Sequence, residues 1–139
     1  MVRVLLDTDM LSEVLKGKNP SVSRRVEAYL SSNGWLTTSA VSVMEIVKGL
    51  QKLKRSQRIR LFLETIARDE VLPLDLPSAE IAGQIFGDLE RIGQPIGRAD
   101  PMIAGIAIQH ALVLATGNTE HYERIQTLGY PLQIENWRE

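Results

Sequence analysis

Cysteine is absent from this chain, which removes disulfides, thiolate metal sites and cysteine nucleophiles together. Any metal must then sit on oxygen or imidazole, and only two histidines are available. Aromatic residues are scarce, at 5%, so stacking of nucleic-acid bases has little to work with. A dominant charge is missing too: 16 basic residues face 17 acidic ones, for a formal charge of -1 at pH 7. Whole-molecule attraction therefore cannot hold nucleic acid, and any such contact needs a local basic patch. No apolar run approaches the roughly 18 residues of a membrane span. The apolar opening, Met1 to Leu6, is too short for a signal-peptide core, so a cytoplasmic location is expected.

What remains is a soluble composition, 44% hydrophobic and 24% charged over 139 residues, without repeats, linkers or low-complexity segments. One domain spanning 1–139 is expected. Val2 to Leu6 is a short β-branched, apolar run of the kind that forms a buried parallel strand, and it stops at Asp7. Leu11, Val14 and Leu15 then take helical spacing. Further helices are predicted over Ser21 to Leu30, on the Val43, Ile46, Val47, Leu50 stripe, over Lys54 to Arg68, along Ile81, Ile85, Leu89 and Ile92, over Pro101 to Ala111, and over Glu120 to Ile125. Strands are predicted at Trp35 to Thr38, Val71 to Leu74, Leu112 to Leu114 and Leu132 to Ile134. This alternation argues for an α/β fold, a parallel sheet with helices on both faces and functional groups beyond the carboxyl ends of its strands.

Several polar residues fall at such ends. Asp7 follows the first strand; Thr8 and Asp9 can both cap the helix behind it, and Asp9 is assigned to that role. Glu45 points about 140° from the centre of its helix's apolar stripe, as a solvated glutamate would. Ser42 and Gly49 flank it, and two small neighbours let a ligand or another backbone come close. Asp100 precedes Pro101, a helix-start signature, and its carboxylate could cap or bind a cation. Asn118 follows the Leu112 to Leu114 strand through Thr116-Gly117, where turn chemistry explains it equally well. Asp75, before Pro77 and Ser78, reads as helix-entry punctuation. Trp35 and Trp137 read as packing residues.

The segments Leu5 to Glu13, Ser42 to Gly49, Gly97 to Ala104 and Ala115 to Asn118 together resemble the PIN-domain family, most closely VapC-type toxins, and the likeness extends to the closing Ile134-Glu135-Asn136-Trp137. The resemblance implies a three-layer α/β/α domain with a mostly parallel central sheet. It implies that Asp7, Glu45 and Asp100 converge as ligands of Mg²⁺ or Mn²⁺, with Asn118 nearby and Thr8 and Thr116 as accessories. Where many relatives carry a further acid, this chain has Glu120 followed by His121. The same resemblance implies a ribonuclease toxin cleaving RNA to 5′-phosphate and 3′-hydroxyl ends, a homodimer, and a cognate antitoxin. On independent grounds, three crowded carboxylates call for a cation, and Mg²⁺ suits an all-oxygen set.

Lys48, Lys52, Lys54, Arg55, Arg58 and Arg60 occupy one stretch with no acid among them. This is the candidate RNA surface, with a solvated helix face as the alternative. Few aromatics favour shape recognition of folded RNA over single-strand tracking. Two other functions compete. The strand ending in Asp7-Thr8-Asp9 also resembles the nucleophile motif of haloacid-dehalogenase-like phosphatases, which wants a downstream lysine; none occurs from Ser56 to Glu139. A non-catalytic RNA-binding module would use the acids as caps and the basic patch as its surface.

Overall fold

The computed structural model describes residues 2–139; Met1, which opens the first apolar run, lies outside them. Strand β1 (Val4–Leu6) is followed by helices α1 (Thr8–Lys16) and α2 (Pro20–Asn33), strand β2 (Thr37–Ser39), and helices α3 (Ala40–Lys52) and α4 (Ser56–Ile66). Strand β3 (Glu70–Leu72), helices α5 (Leu76–Arg91) and α6 (Ala99–Gln109), strand β4 (Val113–Ala115), helix α7 (Thr119–Thr127) and strand β5 (Ile134–Glu135) complete the chain.

Every strand pair is parallel. β1 pairs with β4, β4 with β5, and β2 with β3. β2 runs beside β1, and the Thr38 hydroxyl donates to the Leu6 carbonyl across the seam at 3.5 Å. By hydrogen bonding these are two sheets, β1-β4-β5 and β2-β3, rather than the one sheet expected, set side by side in the spatial order β3-β2-β1-β4-β5. β1 sits where the chain switches from one side of the sheet to the other, which is where open parallel sheets place their sites.

Strand alternation divides the interior in two. Leu5 and Leu114 face a core shared with Ile85, Leu89, Ile103, Ile106, Tyr122 and Ile125 of α5, α6 and α7. Val4, Leu6, Val113 and Ala115 face the opposite core, with Met10, Leu11, Val22, Phe62 and Trp137. Successive side chains on a strand point to opposite faces, so a sheet with apolar residues at consecutive positions needs helices on both sides. Helix α6 is buried at Pro101 and from Ile103 to Ala107. Its Gly105 lets it close on α5: a Cβ there would stand 2.6 Å from the Ser78 carbonyl oxygen.

Several boundaries differ from the sequence expectation for local reasons. The helix predicted from Lys54 starts at Ser56, because Lys54 adopts a left-handed conformation (φ 54°) that reverses the chain after α3. β2 begins at Thr37, and Trp35 ahead of it is 48% exposed rather than packed. Trp137 does pack, against Tyr29 with ring centroids 5.9 Å apart. The last strand is Ile134–Glu135 rather than Leu132 to Ile134. Asp75 caps α5 as expected, accepting from the Ser78 amide at 3.0 Å.

Candidate active site

Asp7 leaves the end of β1 in an extended conformation and is itself the N-cap of α1, with Oδ1 accepting from the Met10 amide at 2.7 Å. This corrects the assignment of capping to Asp9. Asp9 is instead turned to the surface, 3.2 Å from the Arg138 guanidinium. The other Asp7 oxygen accepts from the Thr116 hydroxyl at 2.6 Å, and that hydroxyl in turn accepts from the Asn118 amide at 2.8 Å. A side chain only 3% exposed would be costly to leave charged. Burial accordingly pushes the Asp7 carboxyl from 3.8 up to about 7, the Thr116 and Met10 hydrogen bonds opposing and the charges of Asp9 and Asp100 adding to it.

Glu45 is held from α1. Thr8 Oγ1 donates to Glu45 Oε1 at 2.5 Å and lies 2.9 Å from Ser42 Oγ; the Ser39 hydroxyl donates to Ser42 Oγ at 3.3 Å. Three hydroxyls thus lead to the carboxylate from the N-terminal turn of α3. Ser42, expected as a small neighbour leaving space, is fully buried and part of this chain. Gly49 does leave space: nothing lies within 4 Å of where its Cβ would be.

Asp100 is not an N-cap. Helix α6 begins a residue earlier at Ala99, behind an Arg98 that makes no side-chain cap, and Asp100 lies in the first turn. Its Oδ2 is 2.8 Å from His121 Nδ1, and its Oδ1 accepts from the Tyr122 hydroxyl at 3.2 Å. A carboxylate can only accept, so the ring proton is assigned to Nδ1. Asn118 Nδ2 lies 3.0 Å from that same nitrogen. Glu120, one residue away, is exposed on the outside of α7 and makes no hydrogen bond or ion pair among the described residues. The structure thus brings His121 to the acids and leaves Glu120 out.

Tyr122 is a residue that sequence reasoning missed. Burial, followed by the negative charges of Asp7, Asp100 and Glu45, holds its hydroxyl protonated well above the ordinary tyrosine range. Of the three acids, only Asp100 takes a hydrogen bond from this phenol; Asp7 and Glu45 add their charge. The apolar spacing of Tyr122 and Ile125 reads as core, and Tyr122 is core; only its hydroxyl reaches the site. Arg138 was missed as well. Its guanidinium binds Asp9 and Glu13 and lies over Gly117, where a Cβ would collide with it.

The cations between Lys48 and Arg60 are all exposed, and among the described residues none of them forms an ion pair. Among the same residues, no three His, Cys, Asp or Glu side chains stand close enough to clasp an ion ready-made.

Against known proteins, residues 4–126 match the PIN domain. The chain belongs to the PIN-domain family. Its relatives place this PIN domain in the VapC type. It is 33% identical over 138 residues to the tRNA(fMet)-specific endonuclease VapC of Shigella flexneri, covering 99% of each chain. It is 33% identical over 127 residues to toxin FitB of Neisseria gonorrhoeae, covering 84% of this chain and 88% of the other. Among solved structures it is similar to DNA-bound VapBC of Salmonella typhimurium (TM-score 0.81, 33% identity, 99% of each chain). It is likewise similar to VapBC-1 of nontypeable Haemophilus influenzae (TM-score 0.83, 27% identity, 100% of each chain). The haloacid-dehalogenase-like reading falls with this membership, and the outward turn of Asp9 removes the second acid it needed.

Proposed function

We propose that this PIN domain is the ribonuclease toxin of a toxin–antitoxin pair, hydrolysing phosphodiester bonds of RNA with Asp7, Glu45 and Asp100 around a divalent cation. The observation that carries the reading is the polar network behind the acids: Thr8, next to Asp7, holds Glu45, while Thr116 leads from Asp7 to Asn118, which stands 3.0 Å from the His121 nitrogen that meets Asp100. The VapBC complexes among its structural relatives support an antitoxin partner. The likeness to the tRNA(fMet)-specific enzymes of Shigella flexneri and Salmonella typhimurium, over 99% of the chain, favours a folded RNA such as a tRNA as substrate.

The donor set suits Mg²⁺ or Mn²⁺: carboxylate oxygens predominate, and thiolate is absent. A loose set of acids fits Mg²⁺ in particular, which keeps several waters and takes one or two carboxylates rather than a complete protein cage. When bound, such an ion lowers the pKa of a water and stabilises the charge that develops on the phosphoryl oxygens. The chain's own residues do the positioning. Thr116 and the Met10 amide fix both oxygens of Asp7, Thr8 fixes one oxygen of Glu45, and His121 and Tyr122 fix Asp100. Water oxygen forms the new bond to phosphorus, the P–O3′ bond breaks, and the products carry a 5′-phosphate and a 3′-hydroxyl. RNA contact comes from among the exposed cations between Lys48 and Arg60.

Mapping the RNA ends left by the purified protein tests this reading. Internal cuts with 5′-phosphates in Mg²⁺, lost in chelator and in Asp100→Asn, are expected. Metal-independent cutting, or 2′,3′-cyclic phosphate ends, would overturn it.

A further inference from the structure

The cations that form one run in the sequence do not share a single face in the fold: Lys48 and Lys52 lie on α3, while Lys54, Arg55 and Arg58 border one cleft at the α3–α4 turn. On α3, at about 100° per residue, Lys52 lies within about 20° of Glu45, Gly49 within about 40°, and Lys48 within about 60°. Glu45 and both lysines thus line one face of a single helix, with Lys52 about 10 Å beyond Glu45 along its axis. Between them Gly49 leaves the helix backbone open. Both lysines are exposed and unpaired among the described residues. The cations of α4 lie elsewhere. Arg58 edges an apolar groove of about 490 Å³ with Leu15, Ile46 and Phe62, while Arg60 lines a separate cleft with Ile59, Leu63 and Glu64. At the turn, Lys54 reverses the chain and ends the α3 face.

We infer that RNA leaves the acid site along α3, its phosphates seated on Lys48 and Lys52 and its backbone passing over Gly49, while Arg58 and Arg60 lie off this path. The inference rests on the ribonuclease reading and adds the direction of the strand. Phosphate fits lysine here: an ammonium on a flexible stem makes a sequence-independent point contact. The unshielded face of Gly49 admits a backbone that a side chain would keep away.

Binding of a labelled, mixed-sequence 20-nucleotide RNA is measured by salt titration in the full chain carrying Asp100→Asn, so that the RNA stays intact. For a single strand, each phosphate that no longer meets a cation flattens the log–log salt slope by about 0.7. Lys48→Gln/Lys52→Gln should therefore flatten it by about 1.4, with Arg58→Gln/Arg60→Gln changing it by less than half of that. Gly49→Asp should weaken RNA binding while leaving the circular dichroism of the fold unchanged. Equal flattening by the two double variants, or a larger effect from the arginines, would overturn the path. Cleavage by the parent chain is run alongside. A parent that cuts no RNA defeats the ribonuclease reading, whereas a parent that cuts RNA with the slopes reversed defeats only the path.

Discussion

The two ends of the acid site are built in opposite ways. Asp7 is buried, and each of its carboxylate oxygens is already bound by the chain, one by a backbone amide and one by Thr116. Asp100, with 20% of its side chain exposed, is held only by side chains of α7. The fold fixes the first acid and carries a desolvation cost for it. The second depends on His121 and Tyr122 and can follow a ligand. The site thus has a rigid wall, fixed by a backbone amide and a buried hydroxyl, and an adjustable wall, held by side chains of α7 alone. Removing groups from each wall should therefore have different consequences.

The largest effect is expected at the rigid wall. Asp7→Asn should abolish cleavage, by more than the roughly 100-fold upper end for residues that only orient a ligand. Its amide still accepts from Met10 and donates to Thr116, so the cap survives. Asp100→Asn should be comparably inactive. Single-turnover assays on total RNA measure both, and residual activity above one part in ten for either would remove that acid from the chemistry.

The same wall makes a pH prediction. The folded carboxyl of Asp7 titrates near 7, against 3.8 for the free group, so the folded state holds the proton more tightly. Its contribution to stability is complete below pH 3.8, declines as the pH rises through about 7, and is gone above that. The ceiling is about 4 kcal/mol, because every pH unit separating the free from the folded carboxyl is worth about 1.36 kcal/mol. In chelator, Asp7→Asn should therefore gain on the parent in denaturation midpoint between pH 5 and pH 8. Parallel pH profiles would show that burial of Asp7 costs nothing.

Thr8 tests whether Glu45 resembles the rigid wall. Thr8→Val keeps the shape and removes the donor to Glu45, and a loss of about 10- to 100-fold in kcat is expected, with Thr8→Ser restoring most of it. Ser42→Ala, one hydroxyl further back, should cost less than Thr8→Val. Equal activity of the valine and serine variants would reduce Thr8 to packing.

At the adjustable wall, His121→Glu should add a carboxylate beside Asp100 and tighten binding of a second divalent ion without RNA, with a modest effect on cleavage. Calorimetric titration reads it out. Two equally tight ions in the parent would show that His121 does not limit the ion count. The smallest effect belongs to Gly49→Ala, which should stabilise α3 by about 0.5 to 1 kcal/mol, since the added Cβ meets no protein atom.

The alternating strands and helices were legible because the elements carry their own periods, and a boundary such as the entry to α5 at Asp75 carries its own signal. Asp7, Glu45 and Asp100 were joined into one proposed site only by the resemblance of the segments that carry them to the PIN-domain family. Singly, each had an equally good local explanation, and Asp7 fulfils that explanation too by capping α1. The misassignment of Asp9 has a plain cause. Two acids two residues apart can each cap the same helix, and which one does so is set by where β1 ends against β4, a contact with Ala115 that local sequence does not contain.

By itself, then, the sequence determined the order of elements, the apolar strands that demand two covering layers, and the absence of thiolate chemistry, because these follow from periodicity and composition. Tertiary structure alone decided that Tyr122 lends its hydroxyl to Asp100, that Thr8 reaches Glu45 across 37 residues, and that Arg58 and Arg60 border different clefts from each other. Hydrogen bonds and helix faces depend on which surfaces meet after the sheet is assembled. Nothing in the local spacing of residues encodes that meeting.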